Sequence, residues 1–171
     1  MKTDTDLYQK LDAMGIAYTV HAHEPVFTVE EAAKVDAEID GAHIKNLFLR
    51  DKKKTGLWLV TVMADVSVDL KQLAKTLGVK DRFSFCNEET LWDRLGVKPG
   101  SVTPLAVIND TENKVTAVLD VRVLDHELVN PHPLRNDRTV TIATEDLMRF
   151  YREVRGEPIV VEIPERIVEA A

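Results

Sequence analysis

Cysteine is nearly missing from this chain: Cys86 is the one example in 171 residues. A lone thiol closes no internal disulfide and has no second sulfur with which to build a Cys-x-x-Cys redox or metal motif, so a reducing compartment is expected. No stretch reaches the ~18 apolar residues that a membrane span needs. The opening MKTDTDLYQKLDAMG is polar and lacks the apolar segment of a secretion signal. A cytoplasmic protein without membrane contact is expected. Positive charge is in deficit, with 22 Lys and Arg against 29 Asp and Glu and a formal charge of -7. That balance disfavours broad binding along a nucleic-acid backbone but allows a short local footprint. There is no P-loop, no Gly-x-Gly-x-x-Gly and no His-Glu-x-x-His, which sets aside those nucleotide and metal chemistries. No cofactor and no metal are expected.

What remains is patterned as one domain over residues 1–171, a length at which a chain buries ~70% of its extended surface. Leu7, Leu11 and Met14 follow helical spacing up to Gly15. Ala17 to His21 alternates like a strand, and Thr28-Val-Glu-Glu31 fits a capping box at the head of a helix through about Ala37. Leu47 to Leu49 and Leu57 to Met63, separated by the polar turn Asp51 to Gly56, form a β-hairpin whose second arm is a buried central strand. Leu70, Leu73, Ala74 and Leu77 mark another helix, Arg82 to Cys86 a short strand, and Asn87 caps a helix to Leu95. Val115 to Val121, Thr139 to Ile142 and Pro158 to Ile163 are strands. Thr144 is expected as the N-cap of a late helix striped by Leu147, Phe150, Tyr151 and Val154. The hairpin and the irregular alternation favour an α+β domain with a mixed sheet over a doubly wound one.

Three segments are more polar than their surroundings require: His43 to Asn46, Lys98 to Pro104, and Asn130 to Asn136. Lys45 stands just before the hairpin's first strand, where a cation reaches either a sheet mouth or open solvent. Pro99-Gly100-Ser101 is a turn in which a glycine lets backbone N–H groups approach a ligand or a developing oxyanion; taken alone, the same tripeptide is far more often only a loop joining helix to strand. Ser101 lacks the Gly-x-Ser-x-Gly context of a nucleophile elbow. His132 lies between two prolines that stiffen its loop, suiting either a proton-relay group or a histidine bonded to nearby backbone. His21 and His23 share a strand face, but no carboxylate or thiol pattern completes a metal site. The densest basic run is Arg50, Lys52, Lys53 and Lys54, with more positive charge at Lys71, Lys75, Lys80 and Arg82.

These segments, in this order, resemble the YbaK/ProX family of trans-acting aminoacyl-tRNA deacylases. The resemblance rests on Pro25-Val-Phe-Thr-Val-Glu-Glu31, Lys45-Asn46 before Leu-Phe-Leu, Gly100-Ser-Val-Thr-Pro104, Asn109-Asp110, and Pro131-His-Pro-Leu-Arg-Asn136 with Thr139 after it. It spans about residues 5 to 165 and implies a mixed, partly closed β-sheet flanked by helices. The YbaK branch commonly carries a second glycine where this chain has Ser101, which favours the ProX branch, associated with prolyl-tRNA synthetase and with clearing alanine from proline tRNA. The resemblance implies catalytic roles for Lys45, Gly100 and His132. It implies substrate contacts for Asn46, Ser101, Phe27 and Thr28, and an aminoacyl-tRNA acceptor end as the partner, with prolyl-tRNA synthetase a second one. Lys52, Lys53 and Lys54 are candidate tRNA contacts. A deacylase for serine or cysteine on the same scaffold, or a nonenzymatic module that binds tRNA ends or an amino acid, stays open as an alternative.

Overall fold

The apolar run from Leu57 to Met63 can be buried on both faces only as a central strand, and the computed structural model, which describes residues 1–53 and 55–167, places it there. In chain order the elements are α1 (Asp4–Ala13), β1 (Tyr18–Ala22), α2 (Val29–Asp36), β2 (Ile44–Asp51), β3 (Leu57–Met63), α3 (Leu70–Thr76), β4 (Phe83–Phe85), α4 (Glu88–Leu95), β5 (Val115–Asp120), β6 (Leu128–Val129), β7 (Arg138–Ala143), α5 (Thr144–Val154) and β8 (Ile159–Val161). Two 3₁₀ turns, Pro104–Asn109 and Val121–Asp125, lie before and after β5.

β3 sits mid-way in a five-stranded sheet ordered β4-β2-β3-β5-β8, antiparallel to β2 and parallel to β5. The expected hairpin is thus the centre of a mixed sheet. Strand alternation divides its side chains between two cores. Val60 and Val62 join Leu49, Leu73 and Phe83 beneath α3, and Leu59 joins Phe48, Leu95, Phe150 and Tyr151 on the other side. A second sheet, β1-β7-β6, adds Val129, Val140 and Ile142 to that larger core. The two sheets meet where Ala42, just ahead of β2, pairs with Leu128 and Asn130 through N–H to carbonyl bonds of 2.8 and 3.2 Å. This junction partly closes the strand layer, and the site lies beside it.

Several boundaries differ from the sequence expectation. β2 begins at Ile44, so Lys45 lies inside the strand, not before it. Pairing with Met63 and Val62 extends the ladder, which hydrophobicity alone stops at Leu47. Thr144 is the first helical residue of α5, and Ala143 occupies the cap position without a side-chain bond. The Thr144 amide instead donates to the Glu127 carbonyl at 2.9 Å, so a tertiary bond does the work of a cap. Thr28 does cap α2, accepting from the Glu31 amide at 3.1 Å.

Candidate active site

At the junction of the two sheets a cavity of about 40 Å³ opens between α2, the start of β2 and the loop after β6. His23, Val26, Asp36, Asn46, Asn130 and His132 are among the residues lining it. The space holds roughly a water molecule or a methyl group. Its lining comes from segments far apart in sequence, and only the fold brings them together.

His132 donates from Nδ1 to the Arg138 carbonyl at 2.7 Å, because a carbonyl can only accept. The neutral ring therefore carries its lone pair on Nε2, and no described residue donates to that atom. Burial holds the His132 pKa below the ordinary imidazole value, against the pull of the Arg138 bond. The His23 ring stands 6.2 Å away, centroid to centroid, and is fixed by the Glu24 carbonyl and the Thr139 hydroxyl, each at 2.8 Å. Asp36 faces both rings and His43, whose Nδ1 is 3.6 Å from Oδ1, too long for a hydrogen bond. Burial pushes the Asp36 carboxyl up, and the three histidines oppose that shift. Among the described residues no three His, Cys, Asp or Glu side chains come together as a metal-binding group.

Asn46 points into this region from β2, but its amide is partly committed. Its Nδ2 donates to the Val102 carbonyl at 3.1 Å, and its Oδ1 accepts from Thr61 at 2.6 Å. The residue thereby ties the loop from Lys98 to Pro104 to the sheet. Gly100, in that loop, has φ of +88°, which a side chain adopts at a cost. A Cβ there would stand 3.4 Å from both the Val26 carbonyl and the Asn136 amide, and 3.6 Å from the Phe27 ring. Asn136 in turn donates to the Val26 carbonyl at 3.2 Å. Gly100, Phe27 and the cavity wall at Val26 are thus in one place, with Ser101 buried behind them. Phe27 is 72% exposed at this rim, while the Thr28 hydroxyl is occupied in capping α2.

Lys45 is placed differently. Its register partner is Val62, so it lies on the face of β2 that carries Leu47 and Leu49, opposite to the Ile44 and Asn46 face that lines the cavity. No described residue makes an ion pair with it. Lys52 and Lys53 are exposed in the β2–β3 turn, which the Asp51 carboxylate holds through the Thr55 and Gly56 amides at 2.7 and 3.2 Å. Lys53 reaches Asp81 at 3.9 Å, and Lys54 lies outside the described residues.

Three contributors are not among the site residues expected from sequence. Asn130 is buried and accepts at Oδ1 from Thr141 at 2.8 Å, while its Nδ2 has no partner among the described residues. An unpaired buried donor in a cavity wall is costly unless something binds it. Its segment is conspicuously polar, but Asn130 itself carries no motif. Asp36 gives no local signal and His23 signals only a pairing with His21, since the meeting of both with His132 depends on the closure of two sheets.

Comparison with known proteins agrees with this architecture. Residues 23–150 match the aminoacyl-tRNA editing domain family. The chain is 42% identical over 158 residues to the prolyl-tRNA synthetase associated domain-containing protein 1 of Bos taurus, covering 91% of this chain and 92% of that protein. It is 38% identical over 143 residues to the prolyl-tRNA editing protein ProX of Acetoanaerobium sticklandii, covering 84% and 87%. A crystal structure assigned provisionally as a trans-editing enzyme for prolyl tRNA synthetase superposes with a TM-score of 0.73 at 19% identity, over 97% of this chain and 99% of that one. At that identity the match speaks to the fold.

Proposed function

The chain belongs to the aminoacyl-tRNA editing domain family, and from that premise we propose that it is a trans-acting deacylase that hydrolyses alanine from mischarged proline tRNA. The observation that supports this substrate is the size of the cavity, about 40 Å³ beside the Gly100 loop. A synthetase pocket that accepts a proline ring rejects a smaller residue by only about 1–3 kcal/mol, so fidelity needs a second, tighter sieve. A cavity of methyl size admits alanine and excludes the pyrrolidine ring.

The reaction is hydrolysis of a ribose ester, and it needs a positioned carbonyl, a stabilised oxyanion and an activated water. Gly100, and the backbone beside it at Ser101, present the loop to the aminoacyl group, and positive φ at Gly100 is what lets the backbone come close. Asn46 holds that loop to the sheet and lines the cavity. Neutral His132 offers Nε2 as an acceptor to the terminal ribose or to water. Phe27 and Thr28 shape the entrance, the first by its exposed ring and the second by fixing the start of α2. Lys45, on the neighbouring face, meets the phosphate of the terminal nucleotide more readily than the ester itself. A hydroxyl of the substrate's own ribose, or a water it orders, serves as the base. The protein acts in the cytoplasm as a single editing domain over residues 1–171, and the names of its relatives point to prolyl-tRNA synthetase as a partner.

A panel of charged tRNAs tests this. Ala-tRNA(Pro) should be hydrolysed fastest, Ser-tRNA(Pro) more slowly because its hydroxyl loses water contacts, and Pro-tRNA(Pro) slowest. Equal rates for alanine and proline on the same tRNA would sink the sieve, and binding without turnover would leave only a tRNA-end module.

A further inference from the structure

Nine of the 22 Lys and Arg side chains of this acidic chain form an ion pair among the described residues. Arg122 meets Asp120, Arg135 meets Asp4 and Asp137, and Arg155 meets Asp110. One place gathers cations that do not. Lys71 and Lys75, one turn apart on α3, join Lys80 and Arg82 around an open groove of about 550 Å³. All four are exposed, and among the described residues none of them forms an ion pair. The acid lining the groove, Asp81, brings Lys53 to its rim at 3.9 Å. Four unpaired cations on a chain of net charge -7 form a local site for an anionic surface.

We propose that this groove docks the phosphate backbone of the tRNA acceptor stem, which rests on the deacylase reading above. Position favours this occupant. β2 runs from the cavity at Ile44 and Asn46 to Asp51, which pairs with Phe83 at the groove's edge. Seven residue steps at about 3.4 Å each set the two ends roughly 24 Å apart. The unpaired end of a tRNA spans a few nucleotides, each rising about 3.4 Å when stacked and more when extended. The cavity opens on the Asn46 face of β2 and the groove on the Lys45 face, so with the charged end in the cavity the strand that bears it rounds the β4 side of the sheet to bring the first base pairs to the groove. α3 covers the face of β2 that also carries Lys45, so one cation stands between the two sites. A backbone footprint of this kind gives affinity and orientation without reading sequence.

The test compares two substrates in the full chain and in two charge-reversed variants, K71E/K75E and K80E/R82E. One substrate is Ala-tRNA(Pro) and the other is the alanyl ester of a trinucleotide ending in adenosine, too short to reach α3. On the tRNA, kcat/KM should fall with salt, each variant should lose at least about tenfold at low salt, and the log–log salt slope should shrink by roughly 0.9 per lost phosphate contact, or about 2 per variant. On the trinucleotide all three proteins should agree within about twofold, which also excludes misfolding. An unchanged rate and slope on the tRNA would overturn the groove and leave the deacylase standing. If the unaltered chain hydrolyses neither substrate, the deacylase reading falls, and the groove is then judged by the affinity and salt slope for uncharged tRNA. Variants that keep full tRNA activity but no longer bind prolyl-tRNA synthetase would assign the groove to a protein and refute the proposal.

Discussion

The two sides of the five-stranded sheet illustrate opposite uses of burial. Beneath α3, Leu49, Val60, Val62 and Leu73 pack with no polar side chain among them, and each is at most 0% exposed. Across the sheet, where it meets the second one, the interior ends in histidines, a carboxylate whose pKa is raised and an asparagine amide without a partner among the described residues. The first region minimises free energy in the folded state. The second leaves Asn130 Nδ2 and His132 Nε2 without a partner among the described residues, as expected where a site is kept ready for a ligand.

Exchanging the demands of these regions should separate activity from stability. The largest effect is expected from Gly100→Val. It forces a β-branched residue into φ of +88° against the Val26 carbonyl and the Asn136 amide, and fills the approach to the cavity. Deacylation should vanish while a calorimetric melt stays cooperative, since the strain costs only about 1–2 kcal/mol. A fully active variant would reduce the loop to a connector. Leu49→Ala should do the reverse, removing about 2–5 kcal/mol of stability in a denaturant titration with kcat unchanged below the transition. If kcat fell with stability, the two regions would not be separable.

Lys45→Ala comes next, with a loss of roughly 100-fold in single-turnover deacylation and little change in Tm, because losing the cation that holds the terminal phosphate misplaces the ester, and this side chain has no ion-pair partner among the described residues to lose. Near-normal turnover would remove Lys45 from the site. A smaller effect is expected from pH. Burial lowers the His132 pKa, so the folded chain refuses a proton that the unfolded chain accepts once pH falls below about 6.5. Stability present above that value is lost below it. Asp36 works the other way: its raised pKa favours proton uptake by the folded state as pH falls toward the carboxylate range. If neutral His132 is required, the rate should stay level as pH drops through 6.5 and decline only below it, by up to about tenfold per unit. A decline centred above 6.5 would point to a different group.

The sheet and its helices were legible because each carries a local signature: a capping box at Thr28, helical spacing at Leu147 to Val154, and a continuous apolar run in β3. Motif resemblance singles out Lys45, Gly100 and His132, of which the structure sets Gly100 and His132 beside the cavity and Lys45 on the other face of β2. The start of β2 was not legible, since pairing with β3 outweighs the polar character of Lys45 and Asn46. Nor was the cap of α5, where the Glu127 carbonyl binds the Thr144 amide that a side chain would otherwise serve. The groups gathered at the cavity were least legible of all. His23 and His132 stand 6.2 Å apart across a junction of two sheets, and no spacing along the chain encodes that closure.

The smallest effect should come from Cys86→Ser, and its smallness is informative because Cys86 packs against the larger core without belonging to the cavity. A nucleophilic thiol would need a depressed pKa, from a helix N-terminus, a metal or a paired histidine. Cys86 shows the opposite: burial pushes its pKa up to about 11, and Arg50 offsets this only in part. At neutral pH the thiolate is then roughly one part in 10⁴, too little to carry turnover. Serine is nearly isosteric, and at a half-buried position its hydroxyl keeps access to water, so stability should change by no more than about 1 kcal/mol. Turnover of Ala-tRNA(Pro) by the serine variant should match the parent, and treating the parent with iodoacetamide near pH 7 should leave Cys86 unmodified on the timescale of exposed thiols. A folded variant without activity would place covalent thiol chemistry in the reaction and move the boundary of the site past the cavity to the end of β4.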